Sequence, residues 1–372
     1  MVPTTPLALV EKSLAGIPLS DAEAMAVLNH DGWDVMDILY AAYHVRKATW
    51  GKQVAIHIIN NAQNGYCPED CTYCVQAKTS KADIESYTMK EESEIMAEAK
   101  SAYESGAHRY CMVFSGRGPS KKRVETLAGY IQKIKAHYPI EVCVSSGLLD
   151  AEGAKTLKAA GLDRLNHNLN TAEEHYKTIC STHTYQDRLN TLQAGKAAGL
   201  GLCSGMILGM GESLADIVEV ARSLAAIEAI SIPINFLIPI EGAALKSEQV
   251  LTPEHCLRVL CLFRFLNPKA EIRAAAGREL HLRQLQVLAM YPANSLFMQG
   301  YLNTQGDSAF QTLQMIQDGG FEISSDQQLD LLIEKFRQIS SETEKATPSR
   351  ADQVVLKQLD QLRPARQPLG VG

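Results

Sequence analysis

The sequence predicts an α/β protein built as a (β/α)8 TIM-type barrel, with an N-terminal helical cap and a flexible C-terminal tail. Three observations carry this expectation. From Gln53 onward, short β-rich runs alternate with longer helical stretches, the pattern of parallel strands joined by helical crossovers. Eight such pairs can be read, and eight is the number that closes into a barrel. An open doubly wound sheet shares the alternation, but the chain carries no dinucleotide fingerprint to support one.

Residues 1–50 read as a helical cap on one end of the main domain, residues 51–325 as the barrel, and residues 326–372 as a last helix and a tail. In the cap, Leu7, Val10 and Leu14 mark one apolar face, and Ala24, Val27 and Leu28 mark another. Ser20 followed by Glu23 has the form of a capping box, and a further helix is expected over 34–46. Strands are expected near 53–60, 108–115, 140–145, 164–169, 200–208, 231–238, 270–275 and 295–299. Helices are expected near 90–105, 121–137, 151–160, 185–198, 213–228, 253–266, 279–290 and 308–318. Residues 326–340 make one more amphipathic helix. The stretch 342–372 is rich in charge and carries Pro348, Pro364 and Pro368, which favours a mobile tail with at most one short helix.

A chain of 372 residues with a net charge of -6 has an ordinary globular composition. It lacks the broad basic excess of a nucleic-acid binder, so no nucleic-acid partner is expected. No apolar run approaches the roughly 18 residues that cross a bilayer, so no membrane partner is expected either. The start, Met1-Val-Pro-Thr-Thr-Pro, has no basic region followed by an apolar core, and no secretory signal is read there. Nine cysteines would permit disulfides outside the cell. Their odd number and the packing of three into one loop argue for the reducing cytoplasm instead.

The chemistry centres on residues 60–76, where Cys67, Cys71 and Cys74 are spaced C-x3-C-x2-C just after the first strand. One loop can then wrap three thiolates around a single inorganic centre and leave a fourth position open, as catalytic metal sites do. Thiolates so spaced suit an iron–sulfur cluster or zinc. A structural zinc would need a fourth ligand, and His57 is the nearby candidate. Packing alone does not account for the trio, because a polar loop offers three thiols nothing to pack against.

With Tyr73 before its last cysteine, this loop resembles the signature of the radical S-adenosylmethionine (SAM) superfamily. The fuller string Cys67-Pro-Glu-Asp-Cys71-Thr-Tyr73-Cys74-Val-Gln76 resembles one family within it, biotin synthase, and the likeness covers residues 50–325. The resemblance implies a [4Fe–4S] cluster on Cys67, Cys71 and Cys74, whose fourth iron takes the amino and carboxylate groups of SAM.

Three further cysteines, Cys111, Cys143 and Cys203, lie on three different expected strands. A lone strand cysteine is usually an inert core residue. Three on separate strands of one barrel meet inside it and can form a second, buried metal site. The resemblance implies that these three, with Arg273 as fourth ligand, hold a [2Fe–2S] cluster. Arginine is an odd ligand, being almost always protonated, and suits an iron that is meant to come apart. The alternative for Arg273 is a buried ion pair with Glu271 or Glu279. Arg109 precedes Cys111 by two residues and shares its face, where it can support the site by hydrogen bonding. Cys180, Cys256 and Cys261 receive no role.

On the fourth expected strand, Asn166, Asn168 and Asn170 alternate and so point to one face. They offer neutral donors and acceptors to a urea-like ring or to ribose hydroxyls. The resemblance implies that Asn166, Asn168 and Asn235 touch substrate, and that Tyr73, Asn168, Asn170, Arg188, Ile207 and Glu212 touch SAM. Asn170 stands where some relatives have Asp, so its ribose contact would lack a charge-assisted bond. For Arg188 the alternative is a surface ion pair with Asp187 or Glu174.

The activity so implied converts dethiobiotin to biotin, with SAM as radical source, the second cluster as sulfur donor and a flavodoxin- or ferredoxin-type protein as one-electron donor. A homodimer and a cytoplasmic location go with it. Two alternatives stand beside this reading. One is another radical SAM enzyme of similar barrel, of hydrogenase-maturation or methylornithine-synthase type; the other is a zinc- or cluster-binding scaffold without catalysis.

Overall fold

The computed structural model describes residues 5–246, 250–343 and 354–363. Its strands are β1 (Gln53–Gln63), β2 (Arg109–Phe114), β3 (Glu141–Ser145), β4 (Arg164–Asn166), β5 (Gly201–Cys203), β6 (Met206–Leu208), β7 (Ser231–Phe236), β8 (Glu271–Ala274), β9 (Ser295–Phe297) and β10 (Glu322–Ile323). All pairings between them are parallel, in the order β1-β2-β3-β4-β5-β7-β8-β9. β9 pairs back onto β1, aligning Ala55–His57 with Ser295–Phe297, and this closes the barrel. β10 adds beside the start of β1.

Closure turns the two-residue period of each strand into layers inside the barrel. Register aligns Arg109 with His57 and Glu141, and Ser231 with Glu271. Two residues further along, Cys111 lies opposite Cys143, Cys203 opposite Asn166, and Arg273 opposite Ser295. A polar, charged layer thus sits directly beneath a layer of thiols. The outer faces of β2–β5 and the adjoining helices pack on residues such as Tyr110, Val142, Leu165 and Ile131, all fully buried.

The N-terminal helices Ala8–Leu14, Asp21–Leu28 and Val35–Trp50 pack against the helix Pro253–Leu266. Ser13 Oγ donates to the Phe265 carbonyl at 2.7 Å, and Arg258 reaches the carbonyls of Val27 and Trp33. The expected capping box forms, with Ser20 and Glu23 each bonding the other's backbone N–H. The first cap helix, however, presents Leu9 and Ser13 inward while Leu7 and Leu14 stay exposed. Its seven residues end before a full apolar stripe develops.

Other differences from expectation have local causes. The expected strand over 200–208 is interrupted at Ser204 and Gly205, because Gly205 approaches the Pro233 carbonyl and proline has no N–H with which to continue a ladder. The strand expected over 164–169 stops at Asn166, and Asn170 takes a left-handed φ of 71°. The segment 279–290 is a short α-helix, Arg278–Leu282, followed by a 3₁₀ stretch, Arg283–Met290. A helix over Glu173–Ile179 was not expected. Of the tail, residues 344–353 and 364–372 lie outside the described residues. Residues 354–363 are docked rather than free. The Gln305 N–H donates to the Val355 carbonyl at 2.9 Å and the Lys357 N–H to the Asn303 carbonyl at 2.8 Å. Leu362 is buried and Arg363 pairs with Glu94 at 3.0 Å.

Gly205 and Gly129 give a paired test of this packing. A Cβ on Gly205 would lie 1.8 Å from the Pro233 carbonyl oxygen, whereas one on Gly129, within the helix Lys121–His137, meets nothing within 4 Å. Gly205→Ala is expected to lose roughly 1–3 kcal/mol or more from overpacking. Gly129→Ala is expected to gain about 0.5–1 kcal/mol from reduced backbone freedom. Urea unfolding midpoints decide; an unshifted Gly205→Ala midpoint would mean that β5 and β7 do not approach this closely.

Candidate active site

The three-cysteine loop follows β1 at the carboxyl end of the barrel, where (β/α)8 enzymes place their chemistry. Its short-range order is a set of turns, with the Cys74 N–H bonded to the Cys71 carbonyl at 3.0 Å and the Ala77 N–H to the Cys74 carbonyl at 3.1 Å. The two carboxylates between Cys67 and Cys71 fold onto the segment after the helix Glu173–Ile179. Glu69 accepts from Thr182 Oγ1 and from His183 Nδ1, each at 2.6 Å, and Asp70 accepts from the backbone N–H of Ser181 and Thr182. Cys67 and Cys74 face a large cavity, whereas Cys71 is buried against Cys180, sulfur to sulfur 3.7 Å.

That cavity is lined by Tyr73, Asn166, Asn168, Asn170, Arg188, Ile207 and Asn235 together with both of those cysteines. Although Asn168 and Asn170 lie beyond the strand, hydrogen bonds of the Asn170 backbone to Gly205 and Ile207 keep them alongside the broken fifth strand. The Asn170 amide donates to the Tyr73 hydroxyl at 2.6 Å, tying the cysteine loop to the asparagine segment. Asn168 Oδ1 accepts from the Gly205 N–H at 3.1 Å, and Asn235 Nδ2 donates to the Met206 carbonyl at 3.1 Å.

Arg188 is buried, on the helix Tyr185–Ala197, and no carboxylate among the described residues pairs with it. Asp187 instead caps its own helix and Glu174 pairs with Lys177, so the surface ion pair is not formed. The guanidinium bonds Tyr176 Oη, the Asn168 carbonyl and His183 Nε2. A buried cation with no counter-ion on a cavity wall is a receptor for an anionic group.

Glu212 is not brought to the cavity. Its two oxygens accept from the backbone N–H of Gly209 and Met210 at 2.7 and 2.8 Å, so it braces the glycine turn after β6. Conversely, His167 was passed over in the sequence, yet it is buried on the cavity wall with Nε2 unpartnered. Burial, and next the Arg188 cation, hold its imidazole well below the usual range, so it is neutral. Its place between Asn166 and Asn168 was the available signal.

Below the large cavity, and sharing Asn166, Asn168, Asn235 and Tyr301 with it, is a small one lined by Cys111, Cys143, Cys203 and Arg273. Its volume of about 30 Å³ accommodates an inorganic fragment and no organic ligand. Arg273 Nη1 is 3.9 Å from Cys203 Sγ, while Nη2 donates to Glu271 at 2.6 Å and to Ser231 at 2.7 Å; Nε is buried without a partner. The ion pair to Glu271 is therefore present, and it leaves one edge of the guanidinium facing the thiols. Glu279 pairs with Arg278 instead. Glu271 also accepts from both terminal nitrogens of Arg109, each at 3.1 Å, and lies 3.0 Å from His57 Nε2. Burial works against its charge, but Arg109 and Arg273 hold its carboxyl well below the usual range. His57 is thus inside the barrel, 3.9 Å from Cys111 Sγ, and is no fourth ligand for the three-cysteine loop.

The donor sets fit polynuclear clusters better than single ions. Groups that share one ion lie close together, yet neither three-cysteine set has its sulfurs all within 4.8 Å of one another; among the described residues only Cys71, Cys180 and His183 do. Without a metal, burial pushes Cys67 up and Cys74 to about 11, so thiolates form there when a cation replaces the protons.

Residues 64–224 match the radical SAM superfamily and residues 233–322 the biotin and thiamin synthesis associated domain. Biotin synthase of Magnetococcus marinus is 54% identical over 84% of this chain and 98% of its own length, and that of Bacillus subtilis is 45% identical over 85% and 95%. The chain belongs to the biotin synthase family. Methylornithine synthase (TM-score 0.68, 92% of this chain and 98% of that one) is only 19% identical. A FeFe-hydrogenase maturase from Carboxydothermus hydrogenoformans (TM-score 0.73, 87% and 80%) is likewise 19% identical. Their likeness to this chain shows the fold alone. Biotin synthase membership makes this a radical SAM enzyme, which implies SAM and a [4Fe–4S] cluster. No helix among the described residues is long and apolar enough to cross a membrane.

In this biotin synthase relative, Glu271→Leu is expected to destabilise the cluster-free protein by roughly 3–5 kcal/mol, since it leaves the buried Arg273 without its ion-pair partner and Arg109 with Glu141 alone. Glu271→Gln retains an acceptor and should cost less. Denaturant unfolding of both variants provides the measurement. A Leu variant as stable as its parent would mean that the arginines are solvated from the cavity.

Proposed function

We propose that this chain inserts sulfur into dethiobiotin to form biotin, using SAM and two iron–sulfur clusters. The observation that carries the proposal is the stacking of two donor sets along adjoining cavities, with Cys67 and Cys74 lining the outer one, Cys71 behind them, and three strand cysteines with Arg273 lining the inner one. In this reading Cys67, Cys71 and Cys74 hold a [4Fe–4S] cluster, and Cys111, Cys143, Cys203 and Arg273 hold a [2Fe–2S] cluster. Bound there, the first supplies the electron that cleaves SAM to a hydrogen-abstracting radical, and the second supplies sulfide.

The chain's own residues position and isolate the reactants. Arg188 has an unanswered positive charge for the SAM carboxylate, and Tyr73, Asn168, Asn170 and Ile207 form the adjoining wall. Asn166, Asn168 and Asn235 offer neutral amide donors and acceptors to the ureido ring of dethiobiotin. Asn166 also donates to Cys203 Sγ at 3.3 Å, which supports placing substrate directly over the inner donor set. Buried Phe297, with half-buried Ile59 and Tyr301 packed beside it, shields that set from water and stray hydrogen donors. The same reading has the enzyme as a cytoplasmic homodimer reduced by a flavodoxin- or ferredoxin-type donor; its nine free cysteines suit a reducing compartment.

The direct test is anaerobic incubation of the reconstituted chain with dethiobiotin, SAM and a low-potential reductant, with mass analysis for biotin. About six irons per chain are expected, against about four for a radical SAM enzyme with one cluster. Absence of biotin with both clusters loaded refutes the proposal.

Two variants divide the site. Cys143→Ser is expected to bind about four irons, cleave SAM and make no biotin; loss of SAM cleavage in a folded variant that keeps those irons would contradict the division of labour. Asn235→Ala should weaken dethiobiotin binding roughly 5- to 150-fold with SAM affinity unchanged, the cost of one buried hydrogen bond left unmade. Equilibrium binding of each ligand checks it, and equal losses for both would remove Asn235 from the substrate shell.

A further inference from the structure

Cys180 has no part in either donor set, yet its sulfur lies 3.7 Å from that of Cys71. No other thiol among the described residues makes such a contact with Cys71, and both side chains are buried. Their backbones are fastened together on either side of the pair. The Thr72 N–H donates to the Ile179 carbonyl at 2.9 Å, the Ser181 N–H to Asp70 Oδ1 at 3.0 Å, and the Asp70 N–H to Thr182 Oγ1 at 3.3 Å. A disulfide asks these two sulfurs to close to about 2.05 Å, across a junction that the backbone bonds already hold in place.

A single metal ion on Cys71, Cys180 and His183 is the competing use of this cluster, since the three lie mutually within 4.8 Å. The imidazole argues against it. Arg188 Nη2 can only donate, so His183 Nε2 accepts from it at 3.0 Å, and Nδ1 then carries the proton given to Glu69 at 2.6 Å. Neither ring nitrogen has a lone pair left for an ion.

We propose that Cys180 is an oxidation site that pairs reversibly with Cys71 when the chain is without its loop cluster and meets a peroxide. In the first step the Cys180 sulfur attacks one peroxide oxygen; an S–O bond forms, the O–O bond breaks and water leaves. The Cys71 sulfur then displaces a second water from the sulfenic acid and the S–S bond forms. Two thiols and one hydrogen peroxide become one disulfide and two waters, and a dithiol reverses the change. Resting on the assignment of Cys71 to the [4Fe–4S] cluster, the consequence is protective: a ligand is stored as a disulfide instead of advancing to sulfinic acid, which is not recovered by thiols.

The test uses full-length, cluster-free protein prepared anaerobically, treated with equimolar hydrogen peroxide and mapped by mass spectrometry of non-reduced peptides. The expected product is a Cys71–Cys180 cross-link with two of the nine thiols lost, both restored by dithiothreitol. Untreated Cys180→Ser should take up iron as the parent does. After a several-fold excess of peroxide, which supplies the second equivalent that sulfinic acid requires, and then dithiothreitol, its iron uptake should fall about fivefold below that of the parent treated alike, because Cys71 is over-oxidised. Cross-linking of Cys71 to Cys67 or Cys74, no cross-link at all, or equal iron recovery in Cys180→Ser overturns the proposal. Parental iron uptake by untreated Cys71→Ser would instead overturn the cluster assignment and leave the disulfide standing.

Discussion

Arginines buried inside a closed barrel need their charges answered there, and at the inner end of this one Glu271 answers two of them. The arrangement follows from strand geometry. Residues two apart share a face, so the strand that presents Arg273 also presents Glu271 one layer below, and the strand that presents Cys111 presents Arg109. Cys111, Cys143 and Arg273 therefore stand on the charged neighbours Arg109, Glu141 and Glu271, whereas Cys203 stands on Gly201. Arg273 is the clearest beneficiary. With Nη2 taken by Glu271 and Ser231, its plane is fixed and Nη1 is left toward Cys203. An arginine held this way keeps its place whether or not anything is bound to it.

At the mouth the same problem is solved by a different device. The loop bearing Cys67, Cys71 and Cys74 has little apolar surface of its own, and it is held by polar bonds to residues 180–183. From Glu69 the chain of contacts runs through His183 to Arg188 and on to the Asn168 carbonyl. Loop, anion receptor and asparagine wall are thus one connected polar network. Movement in the loop would be felt at Arg188, which lies on another helix.

Much of this was legible in the sequence. The alternation of strands and helices gave the barrel, and the positions of Cys111, Cys143 and Cys203 within β-rich runs gave the three inner thiols, to which the family resemblance added Arg273. What could not be read depended on contacts between distant segments. Gly205 interrupts a strand because of Pro233 on its neighbour, and Glu212 turns to its own backbone instead of the cavity. Cys180 looked like an isolated cysteine because the short helix before it was not apparent. Leu7 and Leu14 seemed to form a core stripe, but their helix is too short for period alone to decide which face is covered. Residues 354–363 have a loop-like composition and are ordered by backbone pairing to Asn303 and Gln305, which no local propensity encodes.

The separation of mouth and inner end bears on how one barrel can carry different sites. Solved proteins at 19% identity share the barrel and nothing more is implied by that likeness. The mouth is built from loops and strand ends, while the inner set is built from strand positions whose neighbours in register are fixed by the ladder. A change at Cys143 alters what faces the inner cavity without moving the Cys67 loop, because neither the ladder that positions Cys143 nor the polar bonds that hold the loop depend on that side chain. Chemistry at the inner end can therefore diverge while the mouth is kept. In this chain the inner end has been given three thiols, an arginine and a carboxylate to hold it, a combination that packing of an inert core would never require.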